Sequence, residues 1–100
     1  MEKFWSPVPD QMIRLAVMLS AANIPFEMVQ YLCCGKPAIQ ISSPSKEDQK
    51  VDAVCTEYTY GGKAGLLEVM GSVNPECEND DVVGWLTAKQ AFKYFTNEED

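Results

Sequence analysis

The stretch Phe26-Glu27-Met28-Val29-Gln30-Tyr31-Leu32-Cys33-Cys34-Gly35-Lys36-Pro37-Ala38-Ile39-Gln40-Ile41 decides how the rest of the chain is read. Phe26 to Cys33 holds no turn-forming residue and is rich in bulky side chains. Its alternate positions divide into Phe26, Met28, Gln30, Leu32 and Glu27, Val29, Tyr31, Cys33. That pattern predicts a strand buried mainly on one side. Cys34-Gly35-Lys36 supplies a turn, and Ala38–Ile41 a hairpin partner with Ile39 and Ile41 on one face. Pro37 has no amide proton, so it belongs at a strand start or a sheet edge.

Upstream, Ser6-Pro7-Val8-Pro9-Asp10 suits a helix start, where amides lack partners and proline is tolerated. Met12, Leu15, Ala16, Leu19 and Ala22 then recur at helical spacing. Asn23 fits a left-handed position after the helix and Pro25 stops it, which predicts a helix over 9–22.

Downstream, Ser42–Lys50 reads as a polar loop. Val51–Tyr58 alternates Asp52, Val54, Thr56, Tyr58 against Val51, Ala53, Cys55, Glu57, the mark of a third strand. Leu66–Met70, bounded by Gly65 and Gly71, reads as a fourth. Asn74–Asp81 is an acidic loop and Val82–Leu86 a short apolar lead-in. Thr87-Ala88-Lys89-Gln90 matches a capping box, with Leu86 set to pack on Ala91. The last helix should run from Ala88 to Phe95 and bury Ala91, Phe92 and Phe95, with the acidic tail, 96–100, frayed beyond it. The order predicts one α+β domain over residues 1–100. It has about four strands in a mainly antiparallel sheet, with an N-terminal and a C-terminal helix on one face.

A chain of 11.1 kDa should fold to roughly 5,700 Å² of surface from about 16,000 Å² unfolded. With 46% hydrophobic residues it supports one ordinary core, but not a core plus a deep enclosed active site. The most apolar run, Met12–Ala22, contains Arg14 and is too short to span a membrane, and the lead Met1–Pro7 makes a poor export signal. Cys33, Cys34, Cys55 and Cys77 are therefore expected to be reduced thiols in the cytoplasm of the cell where the protein works.

The net charge of −7 is unevenly spread. Glu76, Glu78, Asp80 and Asp81 crowd one loop and Glu98, Glu99 and Asp100 end the chain, in segments without Lys or Arg. The other eight acids are matched by all eight bases.

Several chemistries can be weighed on this pattern. Histidine is absent, which removes the usual general base and the commonest zinc ligand and argues against an enzyme. Structural zinc prefers paired C-x₂₋₄-C knuckles, whereas Cys33 and Cys34 are adjacent and the others isolated, so no metal is expected. Glu76, Glu78, Asp80 and Asp81 lack the calcium-loop pattern. They are instead candidates for meeting a basic protein surface, or simply a solvated loop. Gly61-Gly62-Lys63-Ala64-Gly65 offers amides and a cation to a phosphate, with Tyr58 and Tyr60 able to stack on a base. Its spacing is not that of a P-loop and it leads into a strand, so a flexible connection is the plainer reading. Glu68 should face solvent by alternation, while Trp5 and Trp85 suit core or half-buried anchors. No cluster of Lys or Arg favours direct nucleic-acid binding.

Four segments taken together carry a resemblance. They are Ile24-Pro25-Phe26-Glu27, Gln40-Ile41-Ser42-Ser43-Pro44-Ser45, Tyr60 through Gly71, and Asp81-Val82-Val83-Gly84-Trp85-Leu86-Thr87-Ala88. This set resembles a group of small uncharacterised proteins of bacteriophages and prophages of Gram-positive bacteria, over about residues 15 to 95. The resemblance brings no catalytic residues and no cofactor. It implies a small accessory protein of the kind that acts on host machinery, CRISPR nucleases and other antiviral-defence enzymes among it.

The reading that follows is a phage-type interaction protein that binds and inhibits a host protein with a basic surface, such as a nucleic-acid-handling or defence enzyme, through Glu76, Glu78, Asp80 and Asp81. The alternative is a protein that sequesters a nucleotide signal through Tyr58, Tyr60, Gly61, Gly62 and Lys63. A homo-oligomer is compatible with the sequence.

Overall fold

The computed structural model describes residues 10–56, 65–74 and 82–96. Helix α1 (Asp10–Ala21) starts on an exposed Asp10–Arg14 pair at 2.6 Å, one turn apart. It ends as the sequence requires. Asn23 takes φ 60°, its amide donates to the Ser20 carbonyl at 3.1 Å, and the Ile24 amide donates to the Leu19 carbonyl at 2.9 Å. Those two bonds form a Schellman motif, and Ile24 then packs against the core that holds Leu19.

Among the described residues five strands follow in sequence order, each antiparallel to the one before: β1 (Glu27–Cys33), β2 (Lys36–Ser43), β3 (Val51–Thr56), β4 (Leu67–Gly71) and β5 (Val83–Leu86). Helix α2 (Ala88–Phe92) runs on into a 3₁₀ turn over Lys93–Phe95. The α+β architecture is the expected one, with β5 as a fifth strand where the sequence suggested only an apolar lead-in. The β1–β2 turn is Cys34-Gly35, at φ 55° and 82°. Positive φ at both central residues matches the right-handed twist of the two strands.

Register explains the core. Ile39 stands opposite Cys55, Ile41 opposite Ala53, Val51 opposite Gly71 and Ala53 opposite Val69, so these side chains share one face. Met12, Leu15 and Leu19 of α1 and Ala88, Ala91 and Phe95 of the C-terminal helix and turn close over that face. Phe92 is half-buried against the same cluster, and Ala22, expected on the apolar stripe, is exposed. The accessible surface, 6,122 Å², is close to that expected for the mass.

The opposite sheet face is not simply solvated. Ala38, Ser42, Asp52 and Thr56 alternate with the helix-facing residues, yet all four are buried. Ser42 Oγ donates to Gln49 Oε1 at 3.1 Å and Ser43 Oγ to the Pro25 carbonyl at 2.6 Å. These bonds keep a polar pair inside β2, which the sequence reading had placed in the loop after Ile41. The loop begins at Pro44 instead.

Candidate functional site

The residues singled out for binding fall in two segments outside the described residues. Glu76, Glu78, Asp80 and Asp81 lie in one, and Tyr58, Tyr60, Gly61, Gly62 and Lys63 in the other. Their flanks are described and stand at opposite ends of the sheet. Thr56 ends β3 beside the start of β4 at Leu67, whereas Gly71, at the far end of β4, pairs with Val51. The flank of the acidic segment is firmly tied. The Val73 amide donates to the Tyr94 carbonyl at 3.0 Å, Ser72 Oγ lies within donating distance of the same carbonyl at 3.3 Å, and Asn74 Nδ2 donates to the Lys93 carbonyl at 3.2 Å. The acidic chain thus leaves from a fixed point beside the C-terminal turn.

The described body is electrically balanced. Its acids are Asp10, Glu27, Glu47, Asp48, Asp52 and Glu68, and its bases Arg14, Lys36, Lys46, Lys50, Lys89 and Lys93. The whole of the −7 excess therefore belongs to the remaining segments, of which 75–81 holds four acids and no base.

Within the described residues a polar array crosses the sheet face turned away from the helices. Glu27, Ser42, Asp52 and Met70 form one row, and Val29, Gln40, Val54 and Glu68 the next. Gln40 Nε2 donates to Asp52 Oδ2 at 2.9 Å. Burial pushes the Asp52 carboxyl above its usual range, the Gln40 bond pulls the other way, and the Glu68 charge adds to the rise. Tyr31 is likewise raised, by burial first and then by Cys33 and Asp52. Sequence alternation placed Glu68 on this face, where it is half-buried rather than solvated. It gave no sign that Asp52 would be almost fully enclosed.

A second feature is an open groove of about 480 Å³ between the helices, lined by Gln11, Ile13, Arg14, Val17, Thr87 and Lys89 among others. Gln11 Oε1 accepts from the Ala88 amide at 2.7 Å, Gln90 Oε1 from the Thr87 amide at 2.9 Å, and Thr87 Oγ1 from the Gln90 amide at 3.3 Å. The first-turn donors of α2 are thereby largely engaged.

Three thiols are described. Cys55 sits in the core, where burial raises its pKa to about 11. Cys33 ends β1 half-buried and Cys34 is exposed in the turn. Among the described residues no group of three or more Cys, Asp or Glu side chains could hold a metal ion. Trp85, expected as an anchor, is 63% exposed on β5 at φ 61°. Met28 and Leu32 are nearly half exposed on β1. No described helix is long and apolar enough to cross a membrane.

These features define a single small α+β domain: a five-stranded antiparallel meander with two helices packed on one face. No family model, curated protein or solved structure matches the chain.

Proposed function

We propose that this domain is a phage-type interaction protein that inhibits a host enzyme by presenting Glu76, Glu78, Asp80 and Asp81 to a basic surface on it. The observation that carries the reading is the balance of six acids and six bases in the described body, which leaves the negative field to short outlying segments. A local field on a neutral body orients an encounter better than a diffuse one, and it raises the on-rate for a basic partner. The hydrogen bonds holding Ser72–Asn74 to the C-terminal turn support the same reading, because an anchored flank limits the ordering cost on binding.

The test is capture of host proteins from a Gram-positive lysate by the wild-type chain and by a variant carrying E76Q, E78Q, D80N and D81N. A basic nucleic-acid-handling protein should be retained by the wild type and lost from the variant. Equal capture by both would remove the electrostatic basis of the proposal.

A further inference from the structure

The two edges of the sheet are built differently. β5 is four residues long, its pairing with β4 shifts register between Leu67 and Val69, and Trp85 interrupts it at positive φ. Short length and irregularity are how proteins keep an edge from pairing with another chain. β1 carries none of these protections. It has seven residues in unbroken register with β2, no proline, and one charge, Glu27, at its first position. Among the described residues it pairs on one side alone.

Its apolar residues are also unusually placed. Met28 stands opposite Ile41 and Gln30 opposite Ile39, so Met28, Gln30 and Leu32 share the helix-facing side of the sheet. The helices cover Ile39 and Ile41 completely but leave Met28 at 46% and Leu32 at 47% exposed.

The turn fixes which backbone groups point outward. In a two-residue turn with both central φ positive, Cys33 and Lys36 close the hairpin as a hydrogen-bonded pair. Alternation then directs the amides and carbonyls of Glu27, Val29, Tyr31 and Cys33 to β2, and those of Met28, Gln30 and Leu32 to the free edge.

We propose that β1 pairs with β1 of a second copy of this chain, antiparallel about a two-fold axis at Gln30. That register overlaps all seven residues, and it brings the outward groups of Met28, Gln30 and Leu32 against those of Leu32, Gln30 and Met28 of the second copy. About six interchain backbone hydrogen bonds result. Each Met28 meets a Leu32 on the helix side, each Val29 meets a Tyr31 on the other, and Glu27 falls opposite the uncharged Cys33. No like charges oppose, and the four half-exposed apolar side chains cover one another. The product is a continuous sheet with both helical layers on the same side, an isologous contact of the commonest symmetry.

The area sets the size class. A seven-residue strand is roughly 23 Å long, and two side-chain layers make a contact about 20 Å deep, so each copy buries roughly 450 Å². That is about half of a standard interface, the size class of weak and transient contacts. The pairing leaves Glu76–Asp81 uninvolved, so it stands or falls separately from the binding proposal.

Sedimentation velocity of the intact chain from about 5 to 500 μM tests it. The wild type should move from 11.1 kDa toward twice that mass over this range. Gln30→Lys places two cations against each other at the axis and should hold the protein monomeric throughout. V17K, on the exposed side of α1, should dimerise like the wild type. Circular dichroism checks that Q30K is folded, and Leu32→Lys provides a second disruption if it is not. A wild type that stays monomeric at every concentration overturns the proposal, as does a dimer that both Q30K and L32K leave intact. The monomeric outcome would leave the β1 edge to a strand from a different protein.

Discussion

Gln40 and Asp52 are joined diagonally across two strands: Gln40 stands opposite Val54 and Asp52 opposite Ser42, yet Gln40 Nε2 reaches Asp52 Oδ2 at 2.9 Å. The long glutamine side chain spans the diagonal that a shorter residue could not. It gives a carboxyl that is 6% exposed a hydrogen bond, while burial first, and then the charge of Glu68 two residues along the neighbouring diagonal, keep that carboxyl's charge unfavourable.

The Asp52 charge is therefore expected to destabilise the fold near neutrality. Because its folded pKa lies above the unfolded value, the native state holds the proton more tightly. Stability falls as pH rises from the unfolded pKa through the folded one, and the loss is complete above it. Asp52→Asn keeps an acceptor for Gln40 and removes the charge. Thermal melts should show D52N more stable than wild type at about pH 7 and equal to it at about pH 3, where both states are protonated. A less stable D52N at neutral pH would show that the charge is compensated.

Thr87 tests the capping box. Its hydroxyl accepts from the Gln90 amide while Gln90 Oε1 accepts from the Thr87 amide. Thr87→Ala should cost about 1 kcal/mol, or about 4–8 °C in Tm for a domain of this size. A change within error would mean that the Gln11 contact alone holds α2.

Two glycines separate backbone strain from crowding. Gly35 and Gly71 both have φ near 80°, but a Cβ at Gly35 meets open space, whereas one at Gly71 drives into the Lys50 carbonyl. Gly35→Ala should lose about 1–2 kcal/mol from the left-handed conformation. Gly71→Ala should lose more than about 3 kcal/mol, because β3 and β4 must part there. Urea midpoints in the reverse order would contradict the close approach of β4 to Lys50.

The three described thiols should react in a fixed order. Cys34 is exposed in the turn, Cys33 is half-buried with a raised pKa, and Cys55 is enclosed with a pKa of about 11. Alkylation at neutral pH followed by peptide mass analysis should modify Cys34 first and Cys55 only under denaturing conditions. Early modification of Cys55 would mean that the core opens readily.

Much of the fold was legible because its signals are local. Asn23 followed by Pro25 marks the end of α1, Cys34-Gly35 marks the hairpin, and Thr87 with Gln90 marks α2. What escaped depends on tertiary context. Val83-Gly84-Trp85-Leu86 is too short to show alternation, and its positive-φ tryptophan denies it a strand's pattern, so β5 emerges only from its pairing with β4. Ser42 and Ser43 look like loop residues until Gln49 and the Pro25 carbonyl satisfy their hydroxyls. The enclosure of Asp52 on the face away from the helices has no sequence signature, since alternation assigns a residue to a face and not to a depth. The acidic and glycine-rich segments proposed for binding, 76–81 and 58–65, fall almost wholly outside the described residues, Gly65 excepted. The charge balance of the described residues bears on the acidic one, because it shows where the excess does not lie.

The proposed contact with a basic host protein rests on Glu76, Glu78, Asp80 and Asp81. The direct measurement is the affinity of wild type and of the E76Q, E78Q, D80N, D81N variant for the captured host protein, at about 50 and 300 mM salt, a range over which screening of exposed charges changes strongly. Wild-type affinity should fall at least tenfold with salt, and the variant should bind weakly with little salt dependence. Equal affinities with equal salt dependence would contradict the account.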